Sequence, residues 1–427
     1  MKVALIGSGG REHAIAYKLI DSKNLENLFI IPGNPGTAKL GTNVDLNIND
    51  NQAILEFCKK MQIDLVVIGP ENPLVNGLSD VLRANSVKVF GPSLSAARIE
   101  SEKTFAKGLM KKYGIPTADY IEFNSTQYNA AIEFLQTASY PKVIKADGLA
   151  AGKGVIICDS FGLAQAALDS IFKDKIFGKS GDKIVIEDFL VGEEASIFAI
   201  TDGEKYFLLP SAQDHKRIGD NDTGKNTGGM GAYSPAPIVT KKIIEQVEKE
   251  IIVPTLNALK NEGCVFTGCL YCGLMLTSDG PKVVEFNCRF GDPETQAVLP
   301  LLNGDFLDLL YSAAIGSLSR DSIQYNGGSS VCIIAASKGY PDTYYTGYRI
   351  SGIEEIEDPE IVIFHSGTKL QANRLVTNGG RVLGVTSVLS NNDILAAQQK
   401  AYRAIQKIKF TDIYFRTDIA SKALKIK

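Results

Sequence analysis

The chain has 427 residues, 44% of them hydrophobic, which is more than one hydrophobic core usually covers and predicts two to four domains. Lys plus Arg number 45 against 48 Asp plus Glu, so no basic surplus exists to neutralise a nucleic-acid backbone, and a small molecule is the expected partner. The Met1–Gly7 opening is too short for a secretory h-region, no stretch reads as a membrane span, and seven scattered cysteines, several in apolar runs (Cys58, Cys158, Cys332), suit buried thiols in a reducing compartment, so a cytoplasmic protein is expected, and separately a monomer.

In chain order, strand-like runs at Lys2–Ile6, Leu28–Ile31, Leu65–Ile68 and Val87–Phe90 alternate with helical stretches, the pattern of a parallel α/β layer. Helical spacing over Ile99–Tyr113 stops at Gly114 and Pro116, with a domain boundary near Glu102. The β-branched runs Val155–Cys158, Lys183–Ile186 and Ala195–Ile200, joined by glycine-rich turns, predict a small α+β lobe over residues 124–198 that closes on its ligand. Pro210–Pro237 reads as a long structureless loop, which inside a compact enzyme is usually functional. Strand runs at Val331–Ala335, Ile361–His365 and Arg381–Val388 then precede a helix over Asp393–Ile408, with Asn378-Gly379-Gly380 as a hairpin turn. The expected domains are 1–102, 103–324 and 325–427.

The first chemical motif, Gly7-Ser8-Gly9-Gly10-Arg11-Glu12-His13, follows a strand and opens a helix, where free N–H groups and the helix dipole favour an anion. Glu12 stands where a dinucleotide fingerprint needs its third glycine, and the second strand runs into Pro32-Gly33-Asn34 instead of a ribose-binding acid, so NAD is rejected. A phosphorylated small molecule beside Arg11 and a tight turn with no ligand both fit what remains.

The second motif runs from Lys142 to Gly154, a lysine-bearing strand entering a glycine-rich loop suited to phosphate. It is not a Walker A loop, because only three residues separate Gly148 from Gly152 and Lys153 precedes Gly154 instead of Ser or Thr. An ordinary hairpin with solvated lysines is the alternative. In the third motif, Val283 to Glu294, strand alternation puts Glu285, Asn287 and Arg289 on one face and Phe286 and Cys288 on the other. Two oxygen donors suit Mg²⁺ on nucleotide phosphates and the guanidinium suits a carboxylate or phosphoryl group, against the alternative of a half-exposed strand with incidental polar residues.

Together with Pro32–Thr37, Gly69–Leu74, Gln213–Arg217, Asn226–Pro235 and Arg289–Gln296, these segments resemble the ATP-grasp superfamily over nearly the whole chain. Within it they resemble the phosphoribosylamine–glycine ligase family. The resemblance implies an N-terminal parallel α/β domain, ATP-grasp α+β lobes and a C-terminal α+β domain. It also implies ATP, Mg²⁺ or Mn²⁺, and the substrates glycine and phosphoribosylamine. On that pattern Lys103 and Lys145 contact the nucleotide phosphates, Lys142 also belongs to the nucleotide site, and Gly148, Gly152, Lys153 and Gly154 fold over the phosphates. Glu187 and the Leu190 backbone meet adenine, Glu194 meets the ribose, and Glu285 and Asn287 hold the metal. Gly9, Gly10 and Arg11 receive the ribosylamine, and Lys145, Arg289 and Asp292 form the catalytic group, with no protein nucleophile. Glycine is placed by charge between Asp214 and Arg289. The chain departs from many ATP-grasp enzymes in lacking an acid over Cys269–Thr277, which leaves the number of metal ions open.

Cys269 and Cys272 have C-x-x-C spacing but sit in an apolar run without a second ligand pair, so core packing is expected. Three histidines, His13, His215 and His365, are too few for a zinc protease or a serine triad to be expected, and the acidic run Glu354–Glu360 reads as solvated surface. Another ATP-grasp ligase and a nucleotide-binding regulatory protein without turnover are the competing functions.

Overall fold

The structure is a computed structural model and describes residues 1–149 and 154–425. Near-continuous apolar runs form the first sheet from β1 (Lys2–Gly7), β2 (Asn27–Pro32), β3 (Thr42–Asn43), β4 (Leu65–Ile68) and β5 (Lys88–Phe90). They pair in parallel in the order β3-β2-β1-β4-β5, and every residue of β4 is buried, as helices on both faces require. The order reverses between β1 and β4, the place in such sheets where ligands bind, beside the Gly7–Gly10 turn.

The helix expected over Ile99–Tyr113 is two helices, Leu94–Ser101 and Lys103–Tyr113, broken at Glu102, whose φ of −129° and ψ of 100° are extended. The break turns the unsatisfied N–H end of the second helix toward Asp147. Thr104 N donates to Asp147 Oδ1 at 2.7 Å and Lys103 N donates to the Asp147 carbonyl at 3.1 Å.

The small lobe is built from β6 (Tyr120–Asn124), β7 (Lys142–Ala146), β8 (Val155–Cys158) and β9 (Lys183–Asp188), in the order β6-β9-β7-β8. Its own core includes Phe123, Leu135, Ile144 and Ile184. The lobe therefore starts before residue 124 and its sheet ends at Asp188. The run Ala195–Ile200 lies in β10 (Glu193–Thr201), which belongs to a different sheet with β11 (Tyr206–Leu208).

Nor is Pro210–Pro237 structureless, since it contains β12 (Gln213–Asp214), β13 (Arg217–Gly219), β14 (Thr223–Asn226) and β15 (Gly231–Ser234). After it come β16 (Gly268–Thr277) and β17 (Gly280–Asn287), which complete the sheet β11-β10-β16-β17. A short ribbon of β18 (Leu302–Gly304) and β19 (Ile323–Tyr325) leads into the tail domain.

That domain contributes β20 (Ser329–Ser337), β21 (Ile361–His365), β22 (Thr368–Gln371), β23 (Arg374–Thr377), β24 (Arg381–Leu389) and β25 (Ile413–Tyr414). Its main sheet runs β12-β15-β20-β24-β21 with β25 also on β20, so the central loop donates two strands to the tail domain. The helix Ile394–Ile405 packs on this sheet, capped by Asp393, whose Oδ1 accepts from Ala396 N at 2.9 Å. Asn378-Gly379-Gly380 is not a hairpin turn. It carries the chain from β23, which pairs with β22 and is bridged to Arg349 but not to β24, into β24, and Gly379 passes so close to Gly367 that a Cβ on Gly367 would lie 2.6 Å from the Gly379 Cα. The true hairpin turns at Ala372-Asn373, both at positive φ.

Candidate active site

The site starts on β17, where Phe286 and Cys288 enter the core and leave Glu285, Asn287 and Arg289 on the other face, as alternation requires. Burial opposes ionisation of Glu285, yet Lys216, Lys145, Lys103 and Arg289 outweigh it and hold the carboxyl below its usual range. Each of these cations makes its closest contact elsewhere. Lys103 Nζ donates to the Gly148 carbonyl at 3.0 Å, and Lys216 Nζ lies 2.7 Å from Glu194 Oε2. Arg289 reaches Glu100 at 3.1 Å and Glu71 at 3.3 Å. Glu285 is thus a half-buried anion in a field of cations, beside the Asn287 amide, a donor set that fits a hard divalent cation.

Lys145 Nζ donates to the Val284 carbonyl at 3.0 Å, which joins the small lobe to β17, and stands 2.9 Å from Glu187 Oε1 without hydrogen-bond alignment. Glu187 is 4% exposed and its other oxygen meets Lys107 Nζ at 3.0 Å. Burial lowers Lys107 to about 8 despite Glu187. Lys142 does not join this group. It stands three residues before Lys145 on a strand, hence on the opposite face, where it pairs with Asp188 and overlies the Phe134 ring.

Gly148 packs against Ser180 and Gly154 accepts from Ala146 N at 2.9 Å, while Gly152 and Lys153 lie outside the described residues. Half-buried Leu190 falls in the linker between β9 and β10, next to Val191, which is 77% exposed.

Asp214 lies on β12 with its Oδ1 buried and without a hydrogen-bond partner among the described residues. Burial and then Glu294 raise its pKa. Glu294 Oε1 accepts from Ser196 at 3.1 Å and Tyr271 at 3.0 Å. Asp292 pairs with Arg381 of the tail domain at 2.7 Å and accepts from Gln296 Nε2 at 2.7 Å. Arg381 also donates to the Gly228 carbonyl at 2.5 Å, and Gly228 N donates to Tyr340 at 2.9 Å, so both ends of that residue are held by the tail domain.

At the glycine turn, Gly9 N donates to Glu12 Oε2 at 2.7 Å, so this N–H is not free for a phosphate. Arg11 Nε meets Glu12 Oε1 at 2.6 Å, and both side chains are buried. A Cβ on Gly7 or Gly69 would overlap the Glu12 side chain, at 2.4 and 2.2 Å. Gly10 packs equally closely against Gln296 and Ser366. A Cβ on Gly9 would lie 3.8 Å from Asp292, so the turn borders the place where the three domains meet.

The comparisons bear on the whole chain. Models of the phosphoribosylglycinamide synthetase N domain, ATP-grasp (A) domain and C domain match residues 1–100, 101–295 and 330–422. The chain belongs to the phosphoribosylglycinamide synthetase family. It is similar to phosphoribosylamine–glycine ligase of Caldanaerobacter subterraneus, with 46% identity covering 99% of this chain and 100% of that one. The ligase of Chlorobaculum tepidum gives 47% with the same coverage. A crystal structure of the Thermotoga maritima ligase is 34% identical with a TM-score of 0.84, covering 98% of this chain and all of that one. Biotin carboxylase of Campylobacter jejuni shares the fold at 14% identity and a TM-score of 0.74, over 97% and 92%.

Within this phosphoribosylglycinamide synthetase architecture, Lys216, Glu294 and Glu71 lie inside motifs read from the sequence, where their charge was the available signal. Lys107, Glu100 and Arg381 had none, because only tertiary packing brings them to the cleft.

Proposed function

We propose that the protein uses ATP to join glycine to 5-phosphoribosylamine, giving glycinamide ribonucleotide, ADP and phosphate in purine nucleotide synthesis. The supporting observation is the cation-ringed Glu285 on the same face as Arg289, in a chain of this family that also carries a buried Asp214 Oδ1 with no hydrogen-bond partner among the described residues.

A carboxylate oxygen of glycine attacks the γ-phosphorus and ADP leaves. The ribosylamine nitrogen then attacks the glycyl phosphate carbonyl, the C–O bond to phosphate breaks, and the nitrogen loses its proton. The protein supplies positioning and charge rather than a nucleophile. Asp214 takes the glycine ammonium and Arg289 the carboxylate, while Lys103, Lys145 and the loop through Gly152 and Lys153 hold the phosphates. The Leu190 backbone and Glu187 face adenine, and Glu194 the ribose. Mg²⁺ or Mn²⁺, held by Glu285 and Asn287, would supply charge neutralisation on the triphosphate when bound. The ribosylamine enters between the Gly9–Arg11 turn, Asp292 and Arg381. The enzyme acts as a cytoplasmic monomer, and the lobe 120–188 closes on ATP, so nucleotide should protect it from protease.

The test is ADP release with Mg²⁺ and ATP, omitting glycine or freshly generated phosphoribosylamine in turn. Release that requires both supports the reading. Release with another carboxylate or amine in their place would leave only the ATP-grasp chemistry.

A further inference from the structure

The segment that carries Asp214 and Lys216 is held from outside the cleft by the last residues of the chain. Arg416 is 1% exposed, and its guanidinium donates to the Arg217 carbonyl at 3.0 Å, Asp222 Oδ1 at 2.9 Å and both Asp418 oxygens at 2.8 and 2.7 Å. Thr417 N donates to Asp220 Oδ1 at 2.8 Å, Asn221 N to Asp418 Oδ2 at 2.8 Å, and the Tyr414 hydroxyl to the Ile218 carbonyl at 2.8 Å. Lys422 reaches Asp222 at 2.7 Å. Residues 217–222, Gly219 apart, are all tied to the tail.

The hairpin folds back on Lys216, whose carbonyl accepts from Thr227 N at 2.8 Å. Between the tail and the cleft lies His215, buried with both ring nitrogens unpartnered among the described residues. Burial and then Arg416 push it down to about 4, which keeps it neutral near pH 7. Burying a guanidinium and its carboxylates carries a desolvation cost that apolar packing would avoid, and its return is a single fixed geometry.

We infer that Arg416 is a positioning residue for substrate. By fixing the hairpin of β13 and β14 it sets where Asp214 and Lys216 stand in the cleft, without touching substrate itself. The inference rests on the reading that Asp214 meets the glycine ammonium.

The test measures KM for glycine and for ATP separately in Arg416→Gln and Arg416→Lys. Glycine KM should rise about tenfold in the Gln variant with ATP KM within about twofold, and Lys should recover part of the loss. Asp222→Asn, at a side chain 34% exposed, neutralises the carboxylate that meets both Arg416 and Lys422 without emptying a buried site, and should act in the same direction. Combined with Arg416→Gln it should give less than the product of the single effects. An unchanged glycine KM, or glycine and ATP KM rising together, overturns the proposal. If Arg416→Gln does not fold, Asp222→Asn decides it alone. Asp214→Asn separates the two layers. Unchanged glycine KM there removes the underlying reading and the proposal with it, whereas a raised KM there with silent Arg416 variants removes only the positioning role.

Discussion

The glycine turn after β1 and the polar face of β17 both gather charge beside a backbone opening, yet they resolve it in opposite ways. The turn satisfies itself, because Glu12 folds back to accept from Gly9 N and to pair with buried Arg11. The β17 face does not, because Glu285 stays ionised among four cations whose closest contacts lie elsewhere. Satisfied charge is architecture, and charge balanced only at a distance leaves room for a ligand that brings its own phosphates and metal. Glu71 links the two regions, lying 3.9 Å from Arg11 and 3.3 Å from Arg289.

The largest expected effect is that Glu285→Ala lowers kcat by about 10³-fold with a modest fall in melting temperature, since the surrounding cations favour the ionised carboxyl in the folded protein. Normal turnover and metal dependence in that variant would put Glu285 with the self-satisfied groups. Glu12→Ala should do the reverse. It removes the nearest carboxylate of buried Arg11, leaving the Phe290 carbonyl and the more distant Glu71, and should cost about 3 kcal/mol of stability, read by denaturant unfolding, with smaller changes in kcat. A stable Glu12→Ala protein that has lost ribosylamine binding would break the contrast.

Acid unfolding sharpens the link between the regions. Burial opposes ionisation of Glu71, but Arg289 and Arg11 hold its carboxyl down to about 2 against 4.5 for the unfolded group. Its contribution is therefore complete above about pH 4.5 and lost as pH falls toward 2, and Glu71→Gln should flatten that part of the stability profile. The smallest effect is expected at Lys142, where Lys142→Ala should leave kcat within about twofold. Lys145→Ala should lower it about 100-fold, because the two lysines face opposite sides of β7.

The parallel sheet and the Glu285, Asn287 and Arg289 face were legible because alternation and apolar runs are local signals. The same alternation separates Lys142 from Lys145, a consequence that phosphate chemistry in the motif obscured. The strands within Pro210–Pro237 were not legible. β12 and β13 are two and three residues long, and the sheet that receives β12 and β15 is completed by β20, about a hundred residues downstream. Strand character in Ala195–Ile200 was clear, but no local feature says which sheet a strand joins. The glycines at 379 and 380 mark a close backbone approach, which a sequence does not distinguish from a hairpin turn. Arg381 and Arg416 act across domain contacts and leave no local trace.

Activation of glycine through its own carboxylate is read from the fate of ¹⁸O in one turnover with carboxylate-labelled glycine, ATP and phosphoribosylamine. Glycyl phosphate requires one label in the released phosphate and one in the amide of glycinamide ribonucleotide. Unlabelled phosphate formed in step with the amide would contradict the mechanism.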